Sequence, residues 1–283
     1  MTRLDHVTSA DAAELLRGTD LALLPIGATE QHGPHLAMGL DYFAAEWLAD
    51  RVARDVECVV TPVIPVGFSR QWMRFPGTIS LRRETLAAVV DDIAKSLIHH
   101  GVNRILIING HGRNSQVLND LCLRLRYETG ALLSHVDWFK IVHAHLAEVG
   151  LERPAGNRPL AHASELETAV LLAMQEAQGR ELVWMDRARV GVRDAVLFEG
   201  VDELTIAPSE TPISVRFEPF GAYYPSLGLD GTEHSDDGLL GDPRPATAET
   251  GARVLELVGS LIAQYAAALG KVPVTVHARP DIY

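Results

Sequence analysis

Four short, nearly unbroken apolar runs punctuate the first half of the chain. They are Leu21-Ala22-Leu23-Leu24-Pro25-Ile26, Cys58-Val59-Val60 with Val63-Ile64 just beyond, Arg104-Ile105-Leu106-Ile107-Ile108, and Ala131-Leu132-Leu133-Ser134-His135-Val136. Runs of this length without polar alternation are what a strand buried on both faces requires. Between them the period changes to that of a helix, most clearly at Leu86, Val89, Val90, Ile93 and Leu97, where Gly101 supplies the stop. Residues 42–56, 115–127 and 169–178 read as further helices, and a long one is predicted over 247–269 with Val254, Leu257, Val258, Leu261 and Ile262 on one face. Strand and helix alternate, so the pattern predicts an α/β fold with a mainly parallel sheet flanked by helices. Residues 184–241 are richer in Gly and Pro and predict short antiparallel strands and loops. The tail, 271–283, reads as an arm that packs on a neighbouring subunit. No repeat or composition break divides residues 1–283, which are read as a single domain.

Composition narrows the function classes. Acidic residues outnumber basic ones by 37 to 25, and the net charge of -12 would repel a phosphate backbone, which argues against a nucleic-acid partner. The N-terminal residues lack a basic patch followed by an apolar stretch, and no uninterrupted apolar run approaches the roughly 20 residues of a membrane span. Cys58 and Cys122 stand in no paired spacing, which fits a reducing compartment, the cytoplasm, and leaves no cysteine zinc site. The 12 histidines raise the question of whether any gather with carboxylates.

In open α/β sheets ligands bind beyond the carboxyl ends of the strands, so those ends are where chemistry is expected. After the first strand comes Gly27-Ala28-Thr29-Glu30-Gln31-His32-Gly33-Pro34-His35, followed by Asp41 where a helix N-cap is expected. Glu30 and His32 are two apart, so an extended loop sends both side chains to one face, and Gly33-Pro34 bends the chain so that Asp41 returns. After the third run comes Asn109-Gly110-His111-Gly112-Arg113-Asn114-Ser115, a histidine between glycines at a strand-to-helix turn. Two strand ends thus offer Glu30, His32, Asp41 and His111, a nitrogen and oxygen donor set that suits zinc, manganese or iron, with one carboxylate able to bridge two ions. Each residue alone also fits a hydrogen-bonded loop or a helix cap. Farther along, His162 precedes a helix that begins near Ser164. It reads as a general acid or base, while Ser164 and Glu167 read as a capping box. Ser69 and Thr78 lie in a loop that could line the cleft, and Glu233 to Asp237 read as a solvated polar loop.

These motifs resemble the creatininase, or creatinine amidohydrolase, family. The residues that carry the resemblance are Pro25-Ile26-Gly27-Ala28-Thr29-Glu30-Gln31-His32-Gly33-Pro34-His35-Leu36 with Asp41, Phe75-Pro76-Gly77-Thr78-Ile79-Ser80-Leu81, Asn109-Gly110-His111-Gly112 with Asn114-Ser115, His162-Ala163 with Glu167-Thr168, and Gly241-Asp242-Pro243 with Ala246, Ala248, Glu249 and Gly251. The resemblance implies a creatininase-like layered fold and a centre of two divalent ions (zinc, manganese or iron) on Glu30, His32, Asp41 and His111, with Asp41 bridging. It implies proton transfer by His162, with Glu167 catalytic or close to the centre, and a homo-oligomer, commonly a hexamer. The chain also departs from creatininase. Arg113 stands where creatininase has a carboxylate ligand, Gly112 where it has tyrosine, and Gln71-Trp72 where Glu-His is usual. Of its two gating tryptophans only one is matched, by Trp138, with Arg158 in the other's place. Creatinine is therefore a poor fit as substrate. Ser69, Arg113 and Trp138 are the candidate substrate contacts, and Arg113 would either fork onto an anionic or hydroxylated substrate or pair with a carboxylate outside the cleft. The function implied is metal-dependent hydrolysis of a small, cyclic amide at its C–N bond by an activated hydroxide. The alternatives are hydrolytic C–C ring opening of an inositol-derived polyol ketone, or a ligand-binding homologue without catalysis.

Overall fold

The computed structural model describes residues 2–153, 159–191, 203–206, 213–216 and 231–280. The four apolar runs become β1 (Leu21–Ile26), β2 (Val59–Val60), β3 (Arg104–Asn109) and β4 (Leu132–Asp137), all parallel in the order β2-β1-β3-β4. Alternation along the strands divides the core in two. Leu21, Leu23, Leu106 and Ile108 face a layer built from α2 (Leu40–Val52), the short α5 (Trp138–Val142) and α6 (Leu146–Val149), α7 (Glu165–Gln178) and α9 (Ala248–Leu269). Ala22, Leu24, Ile26, Ile105 and Ile107 face α3 (Arg83–His99) and α4 (Ser115–Thr129), with Leu15 and Leu16 of α1 (Ser9–Gly18) at the margin. Continuous apolar strands therefore have continuous burial, as a sheet covered on both sides requires. The register pairs Leu21 to Ile26 with Arg104 to Asn109, so β1 and β3 end level with each other and deliver their following loops to the same edge.

Local signals hold in detail. Gly101 closes α3 with φ +103, in the left-handed region that favours glycine, and Thr247 caps α9 by accepting from the Thr250 N–H. Although α9, with 22 residues, is long and apolar enough to cross a bilayer, its buried stripe of Val254, Leu255, Val258 and Ile262 joins the α2–α7 core. The described part of the Gly- and Pro-rich region holds one antiparallel pair, β5 (Glu203–Ile206) with β6 (Ile213–Arg216), and a short α8 (Gly231–His234).

The tail lies along its own chain. The N–H groups of His277 and Ala278 donate to the Thr129 carbonyl at the end of α4 (2.9 and 3.3 Å), and Arg279 donates to the Ile98 carbonyl at the end of α3 (2.5 Å). Helix C-termini leave carbonyls in need of donors, and the tail supplies them; residues 281–283 lie outside the described residues. The stretch after α8 is not solvated throughout. Ser235 is buried and donates to Leu239 O and Asp237 Oδ1, folding a turn that carries Gly238 into the site.

Candidate metal centre

The loop after β1 is pinned where Glu30 N–H donates to the Met38 carbonyl and Gln31 N–H to Thr78 Oγ1. Asp41 is not the N-cap of α2. Gly39 holds that position, and Asp41 lies in the first helical turn, buried, where exposed helix N–H groups favour a carboxylate. It is seated by backbone contact: a Cβ on Gly27 would overlap the Asp41–Tyr42 backbone, and one on Gly110 would overlap the Asp41 carbonyl.

Five candidate ligand residues converge there. Asp41 Oδ2 stands 3.0 Å from His111 Nδ1, which is 3.3 Å from Glu30 Oε1, while Asp41 Oδ1 stands 3.2 Å from His32 Nε2. Glu167 Oε2 lies 3.9 Å from the same His32 nitrogen. Two triads result, Glu30–Asp41–His111 and His32–Asp41–Glu167, which share Asp41; Glu30, His32 and His162 form a third grouping. Donors about 2.1 Å from a tetrahedral ion stand about 3.4 Å apart, so these spacings suit an ion. The outer ring nitrogens fix the tautomers. His32 Nδ1–H donates to the Glu30 carbonyl (3.1 Å) and His111 Nε2–H to the Phe68 carbonyl (2.9 Å), which leaves His32 Nε2 and His111 Nδ1 with lone pairs facing inward. Glu30 Oε2, His32 Nε2 and Asp41 Oδ2 are buried without hydrogen-bond partners, a costly condition that a cation relieves.

Electrostatics agree. Burial opposes charge on His32, yet Asp41, Glu167 and Glu30 push it up to about 10, and the Glu30 and Asp41 carboxylates hold His111 well above its ordinary range. Burial acts against ionisation of Asp41, but the two histidines keep it well below the usual carboxylate range. Without ions, protons occupy the place of positive charge. Burial, with Asp41 and Glu30 nearby, pushes Glu167 up to about 7.

His162 borders this group. Its Nε2 lies 2.8 Å from the Gln31 carbonyl and 2.9 Å from Gln31 Nε2. A carbonyl only accepts, so Nε2 carries the proton, and the Gln31 amide donates to the Gly238 carbonyl instead (3.3 Å). Nδ1 then holds the lone pair, 3.9 Å from Glu30 Oε1. Burial and the neighbouring charge of His32 push His162 well below its ordinary range, so it stays neutral. The expected capping box does not form. Ser164 makes no side-chain cap, and Glu167 Oε2 accepts from Ala163 N–H (2.5 Å), one residue farther back. Ala163 adopts φ +56, a strained conformation for a non-glycine residue beside the site.

Glu30, His32, Asp41, His111, His162 and Glu167 are thus brought together. Ser69 is buried with Oγ unpartnered, on the loop that supplies the Phe68 carbonyl. Arg113 is exposed in the turn before α4, and no carboxylate pairs with it among the described residues. Trp138 is 1% exposed within the α2–α7 core, its Nε1 unpartnered. Arg158 lies outside the described residues.

Two asparagines of the third motif, given no role from the sequence alone, support the candidate ligands. Asn109 grips the His111 backbone from both sides, accepting from its N–H (3.1 Å) and donating to its carbonyl (2.8 Å), and Asp137 accepts from the same Asn109 amide (2.7 Å). Asn114 ties three loops, donating to Gly27 O and Asn109 Oδ1 and accepting from Phe68 N–H.

The creatinine amidohydrolase family model matches residues 5–266, nearly the whole chain. The chain belongs to the creatininase family. A creatinine amidohydrolase of Pseudomonas putida is 32% identical over 216 residues, covering 71% of this chain and 79% of the relative. A mycofactocin precursor peptide peptidase of Mycolicibacterium smegmatis is 30% identical over 241 residues, covering 83% of this chain and 79% of the relative. A solved structure described as "Creatininase Mn" superposes with a TM-score of 0.71 at 26% identity, covering 93% of this chain and 96% of the other. The layered α/β fold is that of the creatininase family, and the protein is a metal-dependent hydrolase.

Proposed function

We propose that this creatininase-family protein hydrolyses the C–N bond of a small amide, cyclic by preference, at a centre of two divalent ions. The observation that carries this reading is the double use of Asp41, whose two oxygens face different histidines in two ligand triads. Glu30, Asp41 and His111 would hold one ion; His32, Asp41 and Glu167 would hold the other. Ions there would polarise a substrate carbonyl and supply a water of lowered pKa. His162, neutral and with Nδ1 turned toward Glu30, is the group that accepts a proton and returns it to the leaving nitrogen. Glu167, placed by the Ala163 N–H, serves as a ligand in this reading. Amide chemistry is favoured because both relatives, by name, act on C–N bonds. Arg113 and Ser69 are the proposed substrate contacts, and the working form is a cytoplasmic homo-oligomer, hexameric by family resemblance.

The test combines metal analysis with a panel of lactams, formamides, short peptides and cyclic polyol ketones. Protein purified without chelators should carry zinc, manganese or iron and turn over an amide. Asp41→Ala should lose the metal. His162→Ala should keep it and slow turnover by roughly 100-fold or more. Turnover of ketones alone would replace the amide reading with C–C cleavage, and full activity of metal-free protein would refute the mechanism.

A further inference from the structure

His162 is clamped between two rings. On one side its imidazole lies 4.4 Å from that of His32, tilted by 31°; on the other it stacks on the indole of Trp72, 4.5 Å between centroids and 15° from parallel. Trp72 is held in turn. It lies in a short 3-10 turn, Arg70–Trp72, with Phe75 edge-on at 5.8 Å, and the backbone of Gly231 lies so close that a Cβ there would overlap the indole. Trp72 belongs to neither of the two cores that cover the sheet. It forms a separate cluster with Ala161, Leu240 and Phe75, and this cluster surrounds His162: Ala161 precedes it in the chain, and the Leu240 N–H donates to the His162 carbonyl (2.9 Å).

We propose that Trp72 is a positioning residue, whose stacked indole fixes the plane of His162 so that Nδ1 faces the Glu30 side of the centre. The physical reason is that one hydrogen bond fixes a point and leaves a plane free. The Nε2–H bond to the Gln31 carbonyl lets the imidazole swing about the N–H···O axis, and such a swing would carry Nδ1 away from Glu30. Rings on both faces block it. His32 supplies one face and is committed as a metal ligand, so the face open to independent control is that of Trp72. A reacting group misplaced by about 1 Å costs on the order of 100-fold in rate, so a flat wall behind a proton carrier has a large effect.

The proposal rests on His162 as the proton carrier, and its test separates the two ideas. Trp72→Leu keeps apolar bulk without a flat face, whereas Trp72→Phe keeps the face, so packing and stacking are distinguished in variants that both fill the cluster. Crystal structures of the zinc-loaded variants should show His162 detached from the Gln31 carbonyl or split between rotamers in Trp72→Leu, and in its single stacked orientation in Trp72→Phe. Zinc content should match the wild type in both. Against the lactam and formamide panel, Trp72→Leu should lower kcat about 10- to 100-fold with little change in KM, and Trp72→Phe should recover most of it. An ordered, Gln31-bonded His162 in Trp72→Leu would overturn the positioning role whatever the substrate. Full turnover by His162→Ala, with His162 still disordered in Trp72→Leu, would instead remove the proton-carrier assignment and leave the positioning intact.

Discussion

Filling the centre with ions should expel protons in a number that the structure specifies. His32, pushed up to about 10 by the carboxylates around it, is protonated at about pH 7.5, so an ion that takes its Nε2 displaces about one proton. His111, held well above its ordinary range, releases about one more. Glu167, pushed up to about 7, carries a proton in about a quarter of molecules at that pH, whereas Asp41 stays ionised throughout. The total is about two protons for the filled site, and overall metal affinity should therefore rise about 100-fold per pH unit near neutrality. Titration calorimetry of chelator-stripped protein with zinc, in buffers of different ionisation enthalpy, reads this number directly. His111→Asn should release about one proton fewer. A wild-type total below about half a proton would refute the assignment of both imidazoles as protonated ligand positions. Stability follows the same linkage. In the stripped protein the His32 contribution is complete below its ordinary value of 6.5 and is lost as pH rises through about 10. Glu167, raised from 4.5 to about 7, adds a loss between those values. Below 6.5 the depressed His162 works against the Glu167 loss, so the Tm of stripped protein should fall as pH rises from about 6.5 toward 10, and that of ion-loaded protein should hold.

Asn109→Ala should weaken zinc binding about 10- to 100-fold in a chelator competition, because it releases the His111 backbone on both sides; affinity within twofold of wild type would exclude this support role. Arg113→Gly should raise KM for anionic or polyhydroxylated substrates with metal content unchanged, since its guanidinium is exposed and no carboxylate pairs with it among the described residues; unchanged kinetics would make it a surface residue. Light scattering at micromolar concentration should report a closed oligomer, and a monomer would contradict the hexamer expected by resemblance.

The sheet was legible because both of its faces are covered, which turns burial into continuous apolar runs. The ligand set was legible because Glu30, His32 and His111 follow strands directly, and the parallel register of β1 and β3 brings those ends together. Asp41 was found but misplaced, since a carboxylate near a helix start looks the same at the N-cap and inside the first turn; only the contact with Gly27 and Gly110 separates them. Trp72 and Gln31 were beyond reach as supports of His162. Their roles depend on the path of a loop with little periodicity and on a backbone carbonyl that every residue possesses. The tail's contacts with its own chain were beyond reach for a similar reason, because the carbonyls of Ile98 and Thr129 that hold it give no sign in a sequence.

The seating of Asp41 has a consequence for how such a protein changes over generations. The Asp41 carboxylate is located by main chain against main chain, at two positions where any side chain would collide. The place of Asp41 is thus set by the fold and owes nothing to the residues that line the mouth. Gln71 and Arg113 can be exchanged while the floor of the site keeps its dimensions. A protein built this way can change what its mouth contacts, residue by residue, while its candidate metal ligands stay where the backbone puts them.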